Sequence, residues 1–190
     1  MKRFLAVVAF SVAFLGAILI PAPSQAAAVG LWALGLDFGL AFPNSSSSTF
    51  AWGLGLTHRF SPSFAMELEY QHYGAGVNAQ SSTAQVQTDD GHSFFGIKPA
   101  YTFIGGGGLW QAGLRLGRCW NSVTSTATDS TNSNSVTIND SHTNWFIGPS
   151  LSYELPVGAV TLGGEVNYIV GLGDLPPKAL LLLATMKYWF

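Results

Sequence analysis

Residues 32–42 read Trp-Ala-Leu-Gly-Leu-Asp-Phe-Gly-Leu-Ala-Phe. Trp32, Leu34, Leu36, Phe38, Leu40 and Phe42 share one face of an extended chain, while Ala33, Gly35, Asp37, Gly39 and Ala41 share the other. Successive side chains of a strand point to opposite sides, so this alternation predicts a strand with two chemically different faces. One face is large and apolar. The other is small and carries a charge.

The same period of two runs through the rest of the chain. Phe50, Trp52, Leu54 and Leu56 oppose Gly53, Gly55, Thr57 and Arg59; Phe64, Met66, Leu68 and Tyr70 oppose Glu67, Glu69, Gln71 and Tyr73. Phe95, Ile97, Tyr101 and Phe103 oppose Gly96, Lys98, Ala100 and Thr102, and Trp110, Ala112, Leu114 and Leu116 oppose Gln111, Gly113, Arg115 and Gly117. Trp145, Ile147, Leu151 and Tyr153 oppose Asn144, Gly148, Ser150, Ser152 and Glu154, and Val160, Leu162, Val166 and Tyr168 oppose Thr161, Gly163, Glu165 and Asn167. The last segment sets Leu180, Leu182, Ala184, Met186, Tyr188 and Phe190 against Thr185 and Lys187, which makes eight strands.

The partition of charge separates a membrane barrel from a soluble sandwich or lipocalin. Asp37, Arg59, Glu67, Glu69, Lys98, Arg115, Glu154, Glu165 and Lys187 all fall on the small-residue face, and only Arg118 falls on the apolar one. A soluble sheet would bury its apolar face and clothe the other in Lys and Glu. Here the polar face is rich in glycine, alanine and serine, as a narrow interior requires. In lipid a sheet must close on itself, because an open edge leaves backbone groups unpaired. The reading is a closed eight-stranded antiparallel transmembrane β-barrel, apolar side out and polar side in.

Composition agrees. Of 190 residues 9% are charged and 48% hydrophobic, far below the roughly 25% charge of a soluble domain. Disordered chains carry few aromatics, whereas 13% of this one is aromatic. The single cysteine, Cys119, rules out an internal disulfide. It is expected to face the lumen and be inert.

Met1-Lys2-Arg3, an apolar run from Phe4 to Ile20, and Ser24-Gln25-Ala26 have the layout of a secretory signal peptide. Residues 1–26 are therefore expected to be removed, leaving 27–190 as one outer-membrane barrel domain. That part keeps 6 Lys and Arg against 10 Asp and Glu. It has no basic patch, so nucleic acid is not an expected partner.

Connectors alternate between short (61–63, 104–108, 156–158) and long (43–49, 74–92, 121–143, 171–178). Such alternation is expected of periplasmic turns and extracellular loops, with both termini periplasmic. Pro99 and Pro149 interrupt strands four and six. A closed barrel has no edge to tolerate their missing N–H groups, so β-bulges are expected there.

With these features the chain resembles the small eight-stranded outer-membrane proteins, the OmpX/Ail group and the OmpA transmembrane domain. Its ending, Met186-Lys187-Tyr188-Trp189-Phe190, with Met186, Tyr188 and Phe190 on one face, looks like the signal read by the barrel-assembly machinery. The resemblance implies a monomer in the outer membrane, in contact with lipid and lipopolysaccharide. It identifies architecture, not activity.

Three functional readings follow. The first is a structural or surface-interaction protein, in adhesion or envelope integrity, whose loops 74–92 and 121–143 meet an extracellular ligand. Its lumen is expected to be closed by ion pairs, Glu69 with Lys98 and Arg115 with Glu165 or Asp37, because unpaired buried charge is very costly. The second is a lipid A-modifying acylase or acyltransferase, with His72 as base and Ser81 or Ser82 as nucleophile. Nothing orders these residues into a triad. The third is a narrow pore. His72, Asp90, His92, Asp140 and His142 are candidate ligands for a divalent cation at the mouth, although loop Asp and His side chains are ordinarily just solvated. No catalytic residue or cofactor is expected.

Overall fold

The computed structural model describes residues 31–44, 47–80, 84–129, 135–173 and 177–190. The expected signal peptide, 1–26, and the candidate nucleophiles Ser81 and Ser82 lie outside them. The strands are β1 (Trp32–Pro43), β2 (Thr49–Ser61), β3 (Phe64–Gln80), β4 (Ala84–Gly105), β5 (Gly108–Asp129), β6 (Ser135–Val157), β7 (Val160–Leu172) and β8 (Lys178–Trp189). Each pairs antiparallel with the next, and β8 returns to β1, so the eight form a closed barrel. The seam runs from Ala33 opposite Trp189 to Pro43 opposite Ala179. Beyond its lower end, Phe190 N–H donates to Trp32 O at 2.9 Å and Trp32 N–H to Phe190 O at 3.2 Å.

The faces follow the alternation. Leu34 (58% exposed), Phe50 (58%) and Tyr188 (55%) stand on the outer wall, whereas Glu67, Lys98 and Glu165 are each 2% exposed inside. The turns at one end are two residues long: Pro62-Ser63, Gly106-Gly107 and Gly158-Ala159. Gly106 and Gly107 have φ of 60° and 82°, the left-handed pair that a two-residue hairpin needs to match the strand twist.

Two expectations are corrected. The strands keep one register on both sides of Pro99 and Pro149: Ile97 opposes Leu116 and Ala100 opposes Gly113, while Ile147 opposes Val170 and Ser150 opposes Asn167. The prolines interrupt the ladder without a bulge, and no faces are exchanged. They interrupt it on opposite sides, Pro99 toward β5 and Pro149 toward β7, so each strand keeps its pairing on the other side. The register shift instead lies in β2, between Arg59 and Ser61.

Residues 74–92 and 121–143 are largely strand rather than loop. β3 stays paired with β4 as far as Gln80 opposite Gln85, and β5 with β6 as far as Thr128 opposite Ser135. These segments are polar on both faces, so they gave no apolar alternation to read. Ser and Thr on paired strands simply prolong the ladders beyond the lipid-facing band. A four-stranded sheet, β3–β6, thus rises past the ends of β2 and β7.

Candidate functional site: lumen and mouth

Moving up the barrel from its short-turn end, the inward charges fall at two levels, one low in the lumen and one at the mouth. β3 reads Glu67, Glu69, Gln71, Tyr73 along its inner face; β4, in reverse, reads Lys98, Gly96, Phe94, His92, Asp90. β8, also in reverse, reads Trp189, Lys187, Thr185, Leu183, Leu181. The lumen is therefore stratified into an ionic layer, an apolar layer and a polar mouth.

In the ionic layer Lys98 Nζ lies 2.8 Å from Glu165 Oε2 and 3.1 Å from Glu67 Oε2. Glu67 also meets Lys187, at 3.1 Å, and Lys187 reaches Glu154 at 2.8 Å. Glu154 accepts from Thr161 Oγ1 at 3.0 Å. Arg115, fully buried, donates through Nε to Glu69 Oε1 at 2.5 Å. At the base, Arg59 lies over the Trp189 ring at 4.2 Å, capping the layer from below.

The partners within this layer differ from expectation. Glu69 pairs with Arg115 rather than Lys98, and Lys98 takes Glu165 and Glu67. The cause is register: Glu67 stands opposite Lys98, whereas Glu69 stands opposite Gly96. Gly96 has no side chain, so Arg115 can reach past β4 to Glu69. Asp37, 3% exposed, forms no salt bridge among the described residues.

Above lies a layer that the alternation did not disclose. Tyr73, Phe94, Phe146, Ile169, Leu181 and Leu183 are each at most 2% exposed and pack with Ala41, Ala51, Cys119 and Ala179. Phe94 stacks on Tyr73 at 5.5 Å and meets Phe146 edge-on at 5.4 Å. Arg115 lies 5.7 Å below the Phe146 ring. The sequence does carry a signal for it: Phe94-Phe95, Trp145-Phe146-Ile147 and Leu180–Leu183 are apolar on both faces. Cys119 is buried in this layer and donates to Asn144 O at 3.5 Å.

At the mouth Asp90, His92, Asp140 and His142 line one concavity. His142 Nε2 meets Asp140 Oδ2 at 2.9 Å, and His92 Nδ1 meets Asn121 Oδ1 at 2.9 Å. His72 is not among them. It stands on the outer wall, its Nδ1 3.0 Å from Ser93 Oγ, which also accepts from Tyr70 OH at 3.2 Å. No three His, Cys, Asp or Glu side chains among the described residues converge to hold a metal ion.

A closed eight-stranded sheet with an apolar outer wall and charge confined to its lumen is a transmembrane β-barrel of the outer-membrane type. Among solved structures it is similar to Ail, the attachment invasion locus protein of Yersinia pestis: TM-score 0.56 and 11% identity over 84% of this chain and 96% of that one. A major outer membrane protein of Thermus thermophilus gives 0.54 and 11%, over 84% and 99%. Neisserial surface protein A gives 0.50 and 13%, over 84% and 96%. Ail has also been solved in complex with the heparin analogue sucrose octasulfate. At such identities the likeness is one of fold. No family model matches the sequence, and no curated protein matches it significantly.

Proposed function

We propose that the protein is an exported, monomeric outer-membrane barrel that acts as a surface-interaction protein, not as a conduit. The observation that carries this reading is the β3–β6 sheet. It rises beyond the barrel with two edges that have no strand partner among the described residues, β3 above Tyr73, where pairing with β2 ends, and β6 from Thr143 upward, beyond its pairing with β7. Unpaired strand edges are templates on which a partner adds a strand. Residues 1–26 act as the signal peptide, both termini face the periplasm, and the long hairpins face outward beside lipopolysaccharide. Chain closure through Met186, Tyr188 and Phe190 is the step assisted by the barrel-assembly machinery. The stratified lumen supports the plugged state.

The test is a variant with the β3–β4 and β5–β6 hairpins shortened to the height of β2 and β7. It should retain heat-modifiable migration while losing capture of lipopolysaccharide or host-surface proteins by whole cells. Steady conductance by wild type, or unchanged capture by the shortened variant, would count against the reading. The His72–Ser93 contact on the outer wall keeps a lipid A-modifying activity as the second reading. A change in lipid A mass between cells with and without the protein would favour it.

A further inference from the structure

The concavity at the long-hairpin mouth has a volume of about 800 Å³. It is blind: Tyr73 packs under His92, the rings tilted with centroids 4.8 Å apart, and joins the apolar layer beneath. Its chemistry can be read group by group. Asp140 is already satisfied, accepting from the Ser141 N–H at 2.8 Å through Oδ1 and meeting His142 through Oδ2. Asp90 is not, since its shielded Oδ1 has no hydrogen-bond partner among the described residues.

His92 extends the same pattern. Asn121 Oδ1 can only accept, so His92 Nδ1 carries a proton, and when the ring is neutral its Nε2 is an acceptor. Asp90 and His92 lie two residues apart on one face of β4, roughly 7 Å along the strand. With the ring neutral, Asp90 and His92 Nε2 are two acceptors at that spacing. Lys178 also lines the cup but, among the described residues, forms no salt bridge with either aspartate. Val123, Ile138 and Pro177 supply apolar wall beside them.

We infer that this cup binds a primary ammonium group carried on an alkyl chain, with Asp90 taking the charge and His92 a second N–H. The methylenes then lie against Val123, Ile138 and Pro177. A polyamine and a lysine-rich peptide share this chemistry. A sulfated sugar does not, because two carboxylates against one ammonium repel it. The inference rests on the surface-interaction reading for its biological meaning, but not for its test.

The test uses the full barrel in detergent, where both ends are accessible whatever the orientation in cells. Calorimetric titration with spermidine and with a lysine-rich peptide should show saturable one-to-one binding of at least one; sucrose octasulfate should show none. Which cation binds identifies the source. Asp90→Asn should weaken binding at least tenfold, whereas Asp89→Asn, on the opposite face of β4, should not. Heat-modifiable migration establishes that both variants are folded. No saturable binding of either cation, equal weakening by the two substitutions, or preferential binding of the sulfated sugar would overturn the inference. Failure of the surface-interaction reading would show separately, in the whole-cell capture assay.

Discussion

Replacing Arg115 with methionine isolates the energetics of the ionic layer. The side chain is fully buried, and its Nε bond to Glu69 is the only salt bridge of that carboxylate among the described residues. Methionine keeps most of the volume and leaves Glu69, 2% exposed, without a countercharge. Breaking a buried pair from one side typically costs about 3–5 kcal/mol. With a urea dependence of roughly 2 kcal/mol per molar, the unfolding midpoint in detergent should fall by roughly 1.5–2.5 M. Neutralising both partners, Arg115→Met with Glu69→Gln, removes the stranded charge, and the double variant should recover most of the loss. Tryptophan fluorescence during urea unfolding reads the midpoints. A single variant as stable as wild type would show that the charges are solvated in the lumen. A double variant whose losses simply add would show that the pair does not act as a unit. Either result refutes the reasoning.

The apolar layer should be the barrier to ions: Phe94→Ala with Phe146→Ala should raise planar-bilayer conductance, whereas Arg115→Met should leave it near zero, and the reverse order would overturn this. Phe190→Asp places a charge where the chain closes through Trp32, so the variant should accumulate unfolded and be degraded; normal heat-modifiable migration would contradict it. Protease added to intact cells should cut between Asp129 and Ser135 while the barrel survives. Cleavage only after outer-membrane rupture would reverse the proposed orientation.

The architecture was readable because a barrel wall separates two solvents, lipid and lumen, and each strand reports both at a period of two. Asp37 between Leu36 and Phe38, or Glu69 between Leu68 and Tyr70, is sufficient to assign a face. Pairing within the lumen was not readable in the same way. Whether Glu67 or Glu69 meets Lys98 depends on the stagger of β3 against β4, and a shift of two residues preserves every face while exchanging partners. The prolines misled for a related reason. A missing N–H matters only toward one neighbour, and Pro99 and Pro149 each remain paired on the other side. The long hairpins were hidden because Ser125, Thr126 and Thr137 meet water on both faces, leaving no contrast to alternate. Residue type alone groups the histidines and aspartates of the mouth, yet His72 continues the outer face of Met66, Leu68 and Tyr70 on β3, whereas His92 continues the inner face of Lys98, Gly96 and Phe94 on β4.

The two closures of the lumen differ in what they exclude. Ion pairs hold the strands together across the interior, yet charged groups attract water, and Asp37 forms no salt bridge among the described residues. A charged layer alone therefore does not make a dry barrier. The layer of Tyr73, Phe94, Phe146, Ile169, Leu181 and Leu183 offers an ion no countercharge and no polar side-chain group except the Tyr73 hydroxyl, so crossing it requires extensive dehydration. It also separates the ionic layer from Asp90 and His92, so neither can supply a path to the other. The barrel interior divided in this way supports the proposed recognition role of the mouth over that of a channel entrance. The β3–β6 sheet, which extends beyond the other strands at that end, is where the proposal places the partner.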